Sequence, residues 1–226
     1  MKYPADLATL FARARELFVR RSWLYVACTA VALAAQTALL LTHRIDQNVA
    51  LIVGEVFALA PLSAIVYAFG ANDDAGATTA GRSVWGSILE RIWVVVFIDA
   101  ALGLLSFGLR AGVGSSEIAQ TISQVGVLIL ATMLAFSEAH AIVAPEQKPG
   151  QLLVESLLAS VRITTTRVGY ARAVGVVFVP VLLISMASGS LWGFVLASTL
   201  LQAPVAMLTL IFYQDCQALA RANIGK

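Results

Sequence analysis

The sequence predicts an all-α integral membrane protein: six transmembrane helices, arranged as three repeats of a cytoplasmic amphipathic surface helix followed by a transmembrane hairpin. Three observations carry this. The chain of 226 residues is 59% hydrophobic and only 12% charged, with a mean hydropathy of +0.85, whereas soluble domains carry roughly 25% charged residues. Six apolar runs, at about 22–42, 49–70, 91–110, 120–144, 169–187 and 191–213, each approach the ~20 residues that a helix needs to cross ~30 Å of hydrocarbon. Between some of them lie polar segments with helical periodicity, too amphipathic to span and too regular to be loops. The spans leave no room for a separate soluble domain, so residues 1–226 form a single transmembrane domain.

The first element is "ADLATLFARARELFVR" at 5–20, which puts Leu7, Leu10, Phe11, Ala14, Leu17 and Phe18 on one stripe, with Asp6, Thr9, Arg13, Glu16 and Arg20 facing away. A helix with such a stripe lies in the membrane interface. The run after Arg21 is long and lacks a small-residue cleavage site, so it reads as a retained first span rather than a signal peptide. A shorter amphipathic segment, "GRSVWGSILER" at 81–91, precedes the third span. A third, at 151–164, precedes the fifth: Pro149 and Gly150 mark its start, and Leu152, Leu153, Leu157, Ser160, Val161 and Thr164 recur at helical spacing. Trp23 and Trp93 stand at similar entry points 70 residues apart. "APLSAIVYAFGAND" at 60–73 resembles "APVAMLTLIFYQDC" at 203–216. Three units follow, at about 1–72, 73–146 and 147–226.

Basic residues set the orientation. Residues 1–21, the second-to-third and fourth-to-fifth connections and the tail hold 13 of the 15 Lys and Arg; the other side holds only Arg44 and Arg110. Basic residues near span ends stay cytoplasmic, so both termini are expected there, in a bacterial inner or plasma membrane. Cys28 and Cys216 then lie near the reducing side, where a structural disulfide is not expected, and neither has metal-site spacing.

"LLASVRITTTR" (157–167), following "APEQ" (144–147), resembles the signature of the YciC-like membrane proteins and of the membrane domain attached to some glycerophosphodiester phosphodiesterases. That family's surface helix carries a Ser-x-Arg-x-Thr pattern, here Ser160, Arg162 and Thr164, and its closing aromatic-Tyr-x-Asp segment matches Phe212, Tyr213 and Asp215. The resemblance implies the six-span layout over essentially the whole chain. It implies no hydrolase activity, since no phosphodiesterase catalytic domain is present.

Acidic groups inside spans must be neutralised, paired or hydrated, so they are the best functional pointers. Asp99 lies about eight residues into the third span, roughly 12 Å from its start. It reads either as a proton- or cation-coupled site or as a protonated carboxyl bonded across helices to Ser, Thr or Gln. Glu55, about 9 Å below the outer surface, is either part of such a site or a structural partner of Arg44 or Arg110. Glu138 and His140, near the inner end of the fourth span, read as interfacial anchors or a proton relay. Phe11, Phe18, Leu153, Leu157, Ser160 and Arg162 are the candidate contacts of the surface helices.

No nucleophile motif, P-loop or haem-ligand pair is evident. "SGSLWG" lacks the Gly-x-Ser-x-Gly spacing, and its Ser190 has no nearby His; His43 and His140 lie at opposite membrane faces. Pro61, Pro180 and Pro204 fall inside spans and kink them. The expectation is a protein without enzymatic activity, cofactor, metal or nucleic-acid partner. It would act by contact in the lipid bilayer, as an accessory subunit of a membrane complex or a membrane-organising protein, alone as a homo-oligomer or with a membrane-protein partner. The alternative is a small transporter or channel-like protein using the intramembrane acids and kinked helices.

Overall fold

A computed structural model describes residues 5–42, 46–75, 84–112, 117–144, 148–187 and 190–224, and within these leaves out the side chains of 47–48, 106–107, 109–112, 117, 119–120, 149, 187 and 223–224. The elements are α1 (Leu7–Arg20), α2 (Ser22–Leu41), α3 (Gln47–Gly54), a π-helical turn (Glu55–Leu59), α4 (Ala60–Asp74), α5 (Val84–Gly112), α6 (Glu117–Met133), α7 (Ser137–Val143), α8 (Pro149–Thr164), α9 (Arg167–Ala187) and α10 (Leu191–Ile224). Every regular element among the described residues is helical. Among the described residues five segments are long and apolar enough to cross a membrane: Ser22–Leu41, Val49–Asp74, Thr121–Val143, Arg167–Met186 and Leu191–Ala222. The chain is an integral membrane protein. The expected span 91–110 lies inside the 29-residue α5.

Two expected surface helices form and one does not stand alone. The Asp6 side chain caps α1 by accepting from the Thr9 N–H at 2.6 Å, which holds its carboxyl below the usual range. A turn at Arg21 separates α1 from α2. Between α8 and α9, Thr166 Oγ1 accepts from the Gly169 N–H at 3.0 Å. Gly169 is required there, because a Cβ would sit 2.0 Å from the Ile163 carbonyl oxygen. The segment expected at 81–91 has no such break: from Val84 onward it is the first part of α5. Nothing between Trp85 and Trp93 interrupts the hydrogen-bond ladder, so the polar turns simply continue into the apolar part of α5.

α1 is part of the bundle. Leu10, Ala14 and Leu17 are buried in the main core beside Phe212, Tyr213 and Leu62. Arg13, expected to face away, instead donates from Nε to Asp74 at 2.9 Å. Phe18 packs against Tyr25 at 5.2 Å, and Phe11 meets the Phe212 ring edge-on at 6.1 Å while half its surface stays open.

Arg21 just before α2, Arg91 in α5 and Arg172 in the second turn of α9 tie those helices to α4, α7 and α10. Arg21 grips Asp73 through two bonds of 2.7 Å and lies 4.9 Å over the Phe69 ring. Arg172 pairs with Asp215 and lies 5.7 Å over Phe212. Arg91 donates to the carbonyls of Ile142 (3.0 Å) and Ala144, capping the end of α7. Phe69 and Phe212, and Pro61 and Pro204, occupy matching positions of the two similar segments. Pro61 cannot donate to the carbonyl a turn before it, and the chain widens there into the π-turn.

The fourth expected span is broken. α6 ends at Met133, Leu134–Phe136 form turns, and α7 resumes at Ser137. The freed groups are satisfied from α8. Ser160 Oγ accepts from the Phe136 N–H at 3.0 Å and donates to the Met133 carbonyl at 2.8 Å, and Thr164 Oγ1 adds a longer bond of 3.4 Å to that carbonyl. Leu152, Ser156, Ser160 and Thr164 form the buried ridge of α8, four residues apart as neighbours on one helix face.

Candidate functional site

The intramembrane acids come from three separate elements. Glu55 opens the π-turn, Asp99 lies on α5 and Glu138 on the short α7. π-Turns inside helices recur at functional sites. Asp99 and Glu138 interact side chain to side chain, and Glu55 lies within electrostatic range of both. Tyr67 of α4, almost fully buried, engages Glu138 on one side and Thr209 of α10 on the other. Asp99 and Glu138 are half-buried and Glu55 is exposed. Among the described residues no arginine or lysine pairs with any of the three. Arg44 lies outside the described residues and the Arg110 side chain is not described, so the expected Glu55 pairing falls there.

His140 sits on the same short helix, two residues on, and so points elsewhere. Its Nδ1 lies 2.7 Å from the Tyr213 hydroxyl. That hydroxyl also accepts from Gln217. Nε2 is buried and has no hydrogen-bond partner among the described residues. Thr209, Tyr213 and Gln217 recur every four residues along one face of α10. Polar groups therefore run from the carboxyl cluster, through Tyr67 and Thr209, alongside His140 and toward the basic end of the bundle.

The sequence singled out all three acids and His140, and the structure brings the acids together. It did not single out Tyr67 or Thr209, although a tyrosine in the middle of an apolar span is a readable signal. Of the surface-helix candidates, Leu153 and Leu157 pack on a second small core with Val94 and Ile98, Ser160 is fully buried and Arg162 is exposed. Ser190 caps α10, accepting from the Gly193 N–H at 3.1 Å. Cys28 and Cys216 are free thiols. No cluster of three or more His, Cys, Asp or Glu suited to a metal ion occurs among the described residues. The chain matches no family model, no curated protein and no solved structure. Fold and site together define the class: a helical integral membrane protein with a carboxyl cluster among its helices.

Proposed function

We propose that the protein is a small proton-coupled transporter of six spans, in which Asp99 and Glu138 form the proton-handling pair and Glu55 and Tyr67 tune it. The observation that carries this is the meeting of Asp99 and Glu138 from different helices with no cation beside them. Two carboxyls that interact across a low-dielectric site resist ionising together, so the pair favours holding a proton. An acid cluster at this depth is costly to keep without a use, and the π-turn and broken fourth span supply the irregular backbone that transporters place at binding sites. The protein is non-catalytic in this reading. The resemblance to the YciC-like proteins belongs to it as well, Ser160 and Thr164 of the shared pattern being the residues that clasp the break.

The test is proton uptake by proteoliposomes under an imposed pH gradient. Asp99→Asn and Glu138→Gln keep hydrogen-bonding groups, so the protein should fold and melt as the wild type while uptake falls at least about tenfold, the size of effect for losing a proton-transfer group. Unchanged uptake in a well-folded Asn variant would sink the proposal. A second reading, contact with a membrane partner as an accessory subunit, is favoured by Leu7, Phe11 and Val19, which are about half exposed on α1. A wild type without uptake, purified together with a stoichiometric partner, would support that reading instead.

The three arginine ties, with the matched Phe and Pro positions, support three units of one hairpin design and a sixth span inside α5. Both termini are cytoplasmic in this arrangement and the short loops external. Reporter fusions at Gly114 and Lys226 should therefore read opposite sides of the membrane; the same side for both would refute it.

A further inference from the structure

Below the crossing of α1, helices α9 and α10 part to leave a groove of about 710 Å³, away from the carboxyl cluster. Its walls are apolar, with Val179 and Leu183 from α9 and Leu201 and Val205 from α10, and Val179 and Leu183 are about half exposed. Pro180 and Pro204 face it from the two helices. Among the described residues of the lining, charge occurs at one end, as Arg167, Arg172 and Asp6. Two of these are committed: Arg172 to Asp215 and the Ala5 carbonyl, and Asp6 to the first turn of α1. Arg167 has no ion pair among the described residues, and it opens α9, where the helix dipole also favours an anion.

We infer that this groove binds an anionic phospholipid, one acyl chain lying along the α9–α10 wall and the phosphate at Arg167. The site goes beyond the proton-handling reading and does not depend on it. Volume and lining fit an amphiphile, since ligand sites of a few hundred to 1,000 Å³ are mostly apolar with a few placed polar groups. Arg167, the one cation of the lining without an ion pair among the described residues, stands at one end of an apolar trough, which matches a headgroup joined to a hydrocarbon tail. Space along the trough is held open at Gly175, where an added Cβ would meet nothing within 4 Å.

Native mass spectrometry of the full chain, delipidated and titrated with phosphatidylglycerol or phosphatidylcholine, tests this. The wild type should bind one phosphatidylglycerol about fivefold more tightly than phosphatidylcholine, the factor expected from one basic residue at an anionic lipid surface. Arg167→Gln should erase that preference, and Arg162→Gln, on an exposed arginine outside the groove, should leave it. Gly175→Phe should fill the trough and remove the bound lipid of either headgroup without changing the melting temperature. Retention of the preference in Arg167→Gln, or of lipid in a folded Gly175→Phe, overturns the inference. So does a wild-type dimer that Gly175→Phe dissociates, which would make a second copy the occupant.

Discussion

Replacing Arg172 by methionine should destabilise the protein by about 3–5 kcal/mol, because it leaves the Asp215 carboxylate buried without its cation. Arg172 is 5% exposed and Asp215 15%, so solvent screens the pair little. The same guanidinium also reaches the Ala5 carbonyl at 3.4 Å, so the approach to α1 loosens with it. Asp215→Leu introduced on top of Arg172→Met removes the stranded charge and should recover most of the loss. Equilibrium unfolding in mixed detergent measures both. The control is Arg20→Met, whose 2.5 Å partner Glu16 is 66% exposed; that change should fall within about 0.5 kcal/mol. A single and a double variant of equal stability would show that the ion pair does not hold α9 against α10.

Ser160→Val should cost nearly as much by a different route. Valine fills the space of the hydroxyl but strands the Phe136 N–H and weakens the bonding of the Met133 carbonyl, in a part of the bundle where Ser160 and Phe136 are fully buried. Each buried polar group left without a partner costs about 1–3 kcal/mol. Ser156→Ala is the contrast. That hydroxyl only bonds back to the Leu152 carbonyl of its own helix at 2.6 Å, which keeps its ladder bond, so the loss should be under about 1 kcal/mol. Unfolding of the two variants side by side decides it, and a Ser160→Val as stable as Ser156→Ala would mean that the break is satisfied in some other way.

What could be read from the sequence follows from how local the physics is. Apolar runs and amphipathic stripes are short-range patterns, so α1, α2, α8, α9 and α10 stand close to their expected positions. The merger of 84–91 into α5 was harder to see, because a polar turn and a helix break look alike until the capping groups are known. The break at Leu134–Phe136 was not legible at all. "TMLAFSEAH" contains no proline or glycine, and the groups that make the break tolerable arrive from 24 residues further on. The site divides the same way. Each acid was visible as a misfit in an apolar run, but the approach of Asp99 to Glu138, and the Tyr67 between Glu138 and Thr209, exist only once four helices are assembled.

The arginine ties have a mechanical consequence. They join α2 to α4, α5 to α7 and α9 to α10. Each tie pins two helices at one point, so angular play between them produces the least displacement at the pin and the most at the far tips. The π-turn before α4, Pro180 of α9 and Pro204 of α10 lie away from these pins. Glu138, four residues before the Ile142 carbonyl that Arg91 holds, thus stands beside a pin, where the helices have least room to move.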